Sequence, residues 1–412
     1  MSLATASVVV VSRERPGALV RCLMALAQQD HPAFEVVVVA DPAGLAAVAA
    51  TGLAVKAVGF DEANISAARN LGLAQAAGEV VAFIDDDACA EPTWLSRLVA
   101  VFADARVMQA TGFVRGRNGI SFQWRACEVD RFGEDHALDV PEDRVSLHEG
   151  SGARAVKTVG TNCAFRAAAL RAAGGFDPAF RFFLDEADVN LRLAARGGLT
   201  AVVPLAQVHH AFAASARRRA DRVPLSLVEI GASTAVFLRR HAPEAAGALP
   251  QAVVRRERAR LWRHLLRGRI GPLRMRALMA GLRAGWAEGL ARRLALEPLP
   301  DSGAPFAPLP GTGPRGGVVL VTDRAGRAAA LDQAGRAAGA RIVTVLVLSR
   351  GFRRHRHGFT DGGFWLQEGG AHGKADRKGP VFWRTTAALR GEDERKRLAP
   401  VRPVWSDTPL DR

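Results

Sequence analysis

The chain has 412 residues, a formal net charge of +15, 49% hydrophobic residues and a mean hydropathy of +0.04, which exclude a disordered chain and leave room for two or three domains. Its four cysteines, Cys22, Cys89, Cys127 and Cys163, form no Cys-x-x-Cys pair, so neither a disulfide framework nor a zinc knuckle is indicated and a reducing, cytoplasmic setting fits. Met1 to Val11 lacks a basic leader and no window of about 18 uncharged apolar residues occurs, so neither a signal peptide nor a transmembrane helix is expected.

In chain order, Ser7–Val11 reads as a buried strand and 16–29 as a helix, with Pro16 suited to a first turn. Phe34–Ala40 reads as a second buried strand ending at Asp41, and 43–50 and 64–77 as helices. Gly78 precedes the apolar run Val80–Ile84, which ends at Asp85-Asp86-Asp87. This strand–helix alternation predicts a parallel sheet with right-handed crossovers. A helix over 92–102 and a strand over 107–115 follow. Residues 116–157 look irregular, 160–171 lead into a helix, 182–196 read as helix and 200–204 as a short strand. A basic helical stretch spans 217–297, including Arg217-Arg218-Arg219 and an apolar stripe of Leu278, Leu282, Trp286 and Leu290. Proline and glycine mark 298–317 as a linker, and 318–348 reads as a small βαβ unit.

Charge divides the chain. Residues 1–215 hold 19 Lys+Arg and 24 Asp+Glu, whereas the remainder holds 37 and 17, a net of +20. That asymmetry suggests an acidic catalytic region and a basic region that meets something anionic.

The carboxylate triplet is the sharpest feature. Three acids at the tip of a strand buried on both faces need compensation, and the carboxyl edge of an open α/β sheet is where such folds place ligands. A divalent cation bridging carboxylates and a phosphorylated substrate would supply it. Four further segments accompany the triplet. Val8–Val11 runs into Ser12-Arg13-Glu14-Arg15-Pro16, and Ala67-Ala68-Arg69-Asn70-Leu71-Gly72 precedes the acidic strand. Gly160-Thr161-Asn162-Cys163 and Gly174-Gly175-Phe176-Asp177 come next, then Asp185-Glu186-Ala187-Asp188 with Leu191-Arg192 and Val208-His209.

Order and spacing of these segments over about half the chain resemble the inverting nucleotide-sugar glycosyltransferases of family 2. The resemblance implies a GT-A-type, mostly parallel sheet flanked by helices over 1–215. A basic helical extension over 216–297, the 298–317 linker and a small α/β unit of unknown role over 318–412 would follow. It also implies a metal-dependent transfer of sugar from a nucleoside diphosphate to a glycan or lipid-linked hydroxyl in bacterial polysaccharide synthesis. Matching the family motif, Asp87 and His209 would hold Mn²⁺ or Mg²⁺, with His210 an adjacent alternative. Ser12, Arg15, Asp41, Arg69, Asp85 and Asp86 would bind the donor. The base would be Glu186, with Asp185 open because many relatives carry the acidic pair in the opposite order; Asp188 reads as a helix-start carboxylate.

Beyond the resemblance, the basic half suggests docking on anionic lipid at the inner membrane face through the Trp286 stripe. Arg353-Arg354-His355-Arg356-His357 reads first as a solvated loop, with phosphate or metal binding as the alternative. A sugar-phosphate nucleotidyltransferase is disfavoured because 12–17 holds one glycine where a Gly-rich phosphate loop would stand. A non-enzymatic anion-binding protein remains as the other alternative, but no nucleic-acid partner is expected: aromatics make up 6% and no recognition module is present.

Overall fold

Runs of apolar residues without polar alternation build the centre of the molecule, as expected for strands covered on both faces. The computed structural model describes residues 4–211, 217, 219, 221–294, 296–380, 382 and 384–403. Ala6–Ser12, Phe34–Ala40, Lys56–Gly59 and Val80–Asp85 pair in parallel, with Val11 opposite Asp85 in register. The helices Pro16–Leu26, Pro42–Thr51 and Ile65–Gln75 connect them. Lys56–Gly59 was not expected; it is a four-residue edge strand with half its residues exposed, too short to show an apolar run.

Beyond Val80–Asp85 the sheet continues through Cys163–Arg166, Val107–Arg115, Leu199–His210 and Ser146–His148. Cys163–Arg166 runs antiparallel to both neighbours, where the sequence suggested only a lead into a helix. The helix is there but starts at Ala167, and four residues cannot display a period. Leu199–His210 is also longer than expected. It carries the chain to the edge of the acidic triplet, where Val208, His209 and His210 pair with Ala90, Cys89 and Ala88. The region 116–157 contains short strands, of which Cys127–Asp130, Asp135–Ala137 and Arg154–Val156 form a separate three-stranded sheet. Overall the fold is mixed α/β, with a large, mostly parallel sheet flanked by helices and a small C-terminal sheet.

The basic stretch forms helices Val228–His241, Gln251–Leu266 and Pro272–Ala291. Arg217 and Arg219 precede these helices, and Arg218 lies outside the described residues. Leu278, Leu282 and Trp286 face inward, and a Cβ at Gly285 would lie 1.9 Å from the Val228 carbonyl oxygen. These three members of the stripe pack within the protein instead of facing solvent, while Leu290 is exposed. Asp188 anchors this layer. It is fully buried and accepts hydrogen bonds from Arg192 on its own helix and from Arg240 and His241 across the interface. Arg192, His241 and Arg240 together outweigh burial and hold the Asp188 carboxyl well below the usual carboxylate range.

The proline-rich stretch is pinned to the main sheet. Leu309 is buried and its N–H donates to the Phe34 carbonyl at 2.8 Å, while the Ala307 N–H donates to Glu35 at 2.8 Å. After it, Gly317–Thr322, Ile342–Ser349 and Trp365–Gly370 pair in parallel, and Arg356–Phe359 closes the sheet antiparallel to Trp365–Gly370. The chain then returns through the helix Ala387–Leu398 and places Arg402 in the core. There the guanidinium lies 3.9 Å from the centre of the Trp365 ring and forms a two-nitrogen fork on Glu91 at 2.8–3.0 Å. Its Nη2 also sits 3.2 Å from His357 Nε2.

Burial works against the charged form of Glu91, but Arg402, followed by His209, outweighs it and lowers the carboxyl from 4.5 to about 2. A depressed carboxylate stabilises the fold above its unfolded value and loses that contribution as pH falls through the folded one. Replacing Arg402 by Ala should therefore cost about 3–5 kcal/mol at neutral pH, because it strands a buried charge. Equilibrium unfolding in denaturant across a pH series would show it, with the gap between wild type and variant closing as pH falls from 4.5 toward 2.

Candidate active site

Val80–Asp85 delivers its acids to the carboxyl edge of the sheet, between the end of Ala6–Ser12 and the end of Leu199–His210. The first strand-to-helix turn compensates the middle acid. Ser12 donates to Asp86 at 2.7 Å, and Arg15 lies 2.6 Å from Asp86 and 3.3 Å from Asp87. Burial still dominates at Asp86: it pushes the carboxyl up to about 7 against the opposing pull of Arg15 and Ser12, with Asp87 and Asp85 adding to the rise. Asp86 is fully buried and committed to the protein interior.

Asp85 and Asp87 are arranged differently. Together with His210 they offer three ligand atoms that all lie within 4.8 Å of one another. His210 Nε2 is 3.1 Å from Asp87 and 3.8 Å from Asp85. The other ring nitrogen, Nδ1, lies 3.1 Å from the Gln123 amide oxygen, a contact that orients the ring with Nε2 toward the carboxylates. Two oxygen donors and one oriented imidazole suit a small divalent cation, and a hydrogen bond on the far nitrogen is what orients such a ligand.

His209, the residue expected here, points elsewhere. Neighbouring side chains of a strand project to opposite faces. His209 Nε2 lies 2.8 Å from Glu91, and its ring packs against His357 and Trp365. Burial pushes the His209 and His357 imidazoles below the usual histidine value. Glu91, His209 and His357 form a second group of close ligand atoms, but Arg402 already places its positive charge among them.

A second pole faces the triplet across Gly160-Thr161. Thr161 donates to Asp85, and Arg69 Nη1 bonds both Asp185 and Glu186, the latter at 2.7 Å. Arg69 is buried, with its guanidinium 5.1 Å from the centre of the Phe176 ring. A Cβ at Gly160 would sit 1.9 Å from Arg69 and 2.0 Å from Glu186, so any larger residue there would push this ion pair aside. Just before the acidic pair, Phe183 and Leu184 hold φ of 74° and 64°, a left-handed conformation costly for bulky residues. That bend starts the helix Asp185–Ala194 with its carboxylates toward Arg69.

The pair is electrostatically unequal. Burial, then the neighbouring Glu186 carboxylate, pushes Asp185 well above the ordinary range. At Glu186 burial also acts upward, but Arg69 outweighs it and leaves the group below its ordinary value. Glu186 is also the more exposed, at 18% of its side chain against 4% for Asp185.

Asp41 closes Phe34–Ala40 as expected, and caps the next helix: its carboxylate accepts from the Gly44 N–H at 2.9 Å and the Glu14 N–H at 3.0 Å. Ser12, Arg15, Asp85, Asp86 and Asp87 thus gather at one strand tip, Arg69, Asp185 and Glu186 at the facing pole, and Asp41 beside the first turn. Thr161 stood in a motif without a role, and Gln123 lay in a stretch that offered no signal.

Residues 4–222 match the model of the family described as glycosyltransferase-like family 2. The chain belongs to that family. A search of curated proteins found no match. Among solved structures the chain is similar to GalNAc-T7 with UDP, GalNAc and Mn²⁺, at 16% identity and a TM-score of 0.45 over 60% of this chain and 52% of that one. It is also similar to a mannosyltransferase from Pyrobaculum calidifontis in complex with GDP-Man and Mn²⁺, at 21% identity and a TM-score of 0.40 over 70% and 87%. The third is S. aureus TarS, at 19% identity and a TM-score of 0.39 over 69% and 54%. The glycosyltransferase-like chain thus spans about half the length of GalNAc-T7 and of TarS.

The two histidines should separate in a metal titration. His210→Ala should weaken Mn²⁺ binding by about tenfold or more, the scale on which metal sites lose affinity even from the loss of an orienting partner. His209→Ala should leave Mn²⁺ affinity unchanged and lower the melting temperature instead. Paramagnetic resonance of free Mn²⁺ and thermal unfolding read the two effects apart.

Proposed function

We propose that this family member moves a sugar from a nucleoside diphosphate to an acceptor hydroxyl with inversion at the anomeric carbon. One observation carries the reading. A cluster suited to a divalent cation and a carboxylate held ionised by an arginine face each other across Gly160-Thr161. Departure of a nucleoside diphosphate requires charge neutralisation at one pole, and inversion requires a base at the other.

Mn²⁺ or Mg²⁺ held by Asp85, Asp87 and His210 would supply Lewis-acid stabilisation of the diphosphate. Arg15, beside Asp86 and Asp87 and a quarter exposed, is placed to add a second positive charge there. Asp86, itself held by Ser12, keeps Arg15 in position, and Asp41 borders the same turn where the nucleoside would lie. Glu186 is the base. It is ionised and partly open, whereas Asp185 is buried and favours its protonated form. Arg69 keeps Glu186 charged until the acceptor hydroxyl arrives and its proton passes to the carboxylate.

The acceptor in this reading is a glycan or a lipid-linked saccharide in polysaccharide assembly, reached from the cytoplasmic side of a membrane. No helix among the described residues is long and apolar enough to cross a membrane. Leu278, Leu282 and Trp286 are buried, but the facing ends of the last two basic helices expose Trp262, Leu266 and Leu273, the two leucines at 79%. Arg263, Arg267, Arg269 and Arg274 flank them. Apolar tips ringed by arginines suit the interface of an anionic bilayer.

Glu186→Gln should lower turnover by roughly 10²-fold or more while donor affinity holds, and Asp185→Asn should do less. Steady-state kinetics with donor titration checks this; a larger loss in Asp185→Asn would move the base to Asp185. Flotation with phosphatidylglycerol vesicles tests the second point. Wild type should float at low salt, sink as salt rises, and lose flotation when Trp262 and Leu266 are both replaced by Ala. Wild type that stays unbound at low salt rejects the membrane role.

A further inference from the structure

In the run Arg353-Arg354-His355-Arg356-His357 the three arginines are exposed, as a solvated loop would have them, while His355 and His357 are buried. The run walls a cavity of about 760 Å³ whose opposite wall is the turn from Arg117 to Ser121. Arg353, Arg354, Arg356, Lys374 and Arg377 bring five cations to it, and no carboxylate lines it. Among the described residues none of these five has an ion-pair partner. Elsewhere in this C-terminal unit Arg327, Arg397 and Arg402 each hold a glutamate.

Backbone holds the two walls together. The His357 N–H donates to the Asn118 carbonyl at 2.9 Å, and the Arg377 N–H to the Ile120 carbonyl at 3.2 Å. Between them Gly119 adopts φ +68°, and a Cβ there would lie 1.9 Å from the His357 carbonyl oxygen. His355 props the wall from inside, with one ring nitrogen 2.8 Å from Gln367 and the other 2.9 Å from the Gly370 carbonyl. Like charges collected on a fixed concave frame repel unless an anion sits among them, and a concave frame favours a discrete anion over a flat bilayer.

Its place relative to the carboxylate cluster narrows the ligand. Arg117 Nε donates to the Ala211 carbonyl at 2.8 Å, and the Ala211 N–H donates to the Asp87 carbonyl at 2.9 Å. One residue therefore links the cavity rim to the acidic turn. We propose that this cavity binds a phosphate or diphosphate group, carried by the acceptor. The acceptor half of this proposal rests on the glycosyltransferase reading; the anion site does not.

Calorimetric titration with inorganic pyrophosphate in EDTA tests the site while the carboxylate cluster holds no divalent ion. Wild type should bind, more weakly as salt rises, and Arg354→Glu combined with Arg356→Glu should weaken binding by at least roughly tenfold, the scale of one lost charged hydrogen bond. Both positions are exposed, so the variant should melt with wild type, and the charge-neutral Gln pair should fall between. Absence of binding at low salt, or equal binding by wild type and the Glu pair, overturns the proposal. So does a variant that keeps pyrophosphate but loses phosphatidylglycerol vesicles, which assigns the surface to lipid.

Geranyl diphosphate separates two sources of the same group. Tighter binding than pyrophosphate, lost in the Glu pair, supports a lipid carrier; equal binding, lost in the Glu pair, supports a phosphate read without its chain. Mn²⁺-dependent donor hydrolysis should be unchanged in the Glu pair. Its absence from wild type would reject the transferase reading and leave the anion site standing.

Discussion

Three consecutive carboxylates at the tip of a strand buried on both faces set the terms for the rest of this structure. Such charges cannot remain unless the surrounding chain supplies partners. The partners come from far apart: Ser12 and Arg15 from the first turn, Thr161 from the loop before the antiparallel strand, and His210 from the end of the longest strand. Bringing them together requires the whole order of the main sheet. The three acids also end in different states. Asp86 is absorbed by the interior, while Asp85 and Asp87 keep faces toward His210. One acid thus secures the turn and two are left to hold a ligand.

The same logic distributes the basic half. Part of its charge is structural. Arg240 and His241 dock the first basic helix on Asp188, and Arg402 docks the C-terminal unit on Glu91. Each is a buried carboxylate of the acidic half matched by a cation from the basic half. Such pairs register the layers because breaking one strands a charge. Part of what remains gathers at the exposed helix ends around Trp262 and in the arginine-lined cavity beside Arg117. The asymmetry of +20 against −5 therefore reflects both docking and surplus.

Much of the fold was legible because long apolar runs and regular spacing are local. Val80–Asp85, Phe34–Ala40 and the helices between them appear within a few residues of their expected bounds. Cys163–Arg166 and Arg356–Phe359 escaped because four residues carry no period, and Trp365–Gly370 because its Gln367-Glu368-Gly369-Gly370 end shows no apolar run. The Trp286 stripe was visible as a stripe, but an amphipathic pattern does not say what covers it. Here the Val228–His241 helix does.

The sequence by itself determined that acids follow a buried strand, that an acidic pair heads a later helix, and that positive charge gathers in the second half. Those are statements about order along the chain, and apolar periodicity and charge fix them locally. Tertiary structure alone decided which of two adjacent histidines meets the carboxylates. Alternation sends His209 and His210 to opposite faces, and only the sheet's neighbours say which face holds the acids. It alone separated Asp185 from Glu186, since their unequal burial beside Arg69 exists only once the helix is docked. It alone turned an arginine run into the wall of a cavity, because the opposite wall lies more than two hundred residues earlier in the chain and joins it through backbone hydrogen bonds that no side-chain pattern encodes.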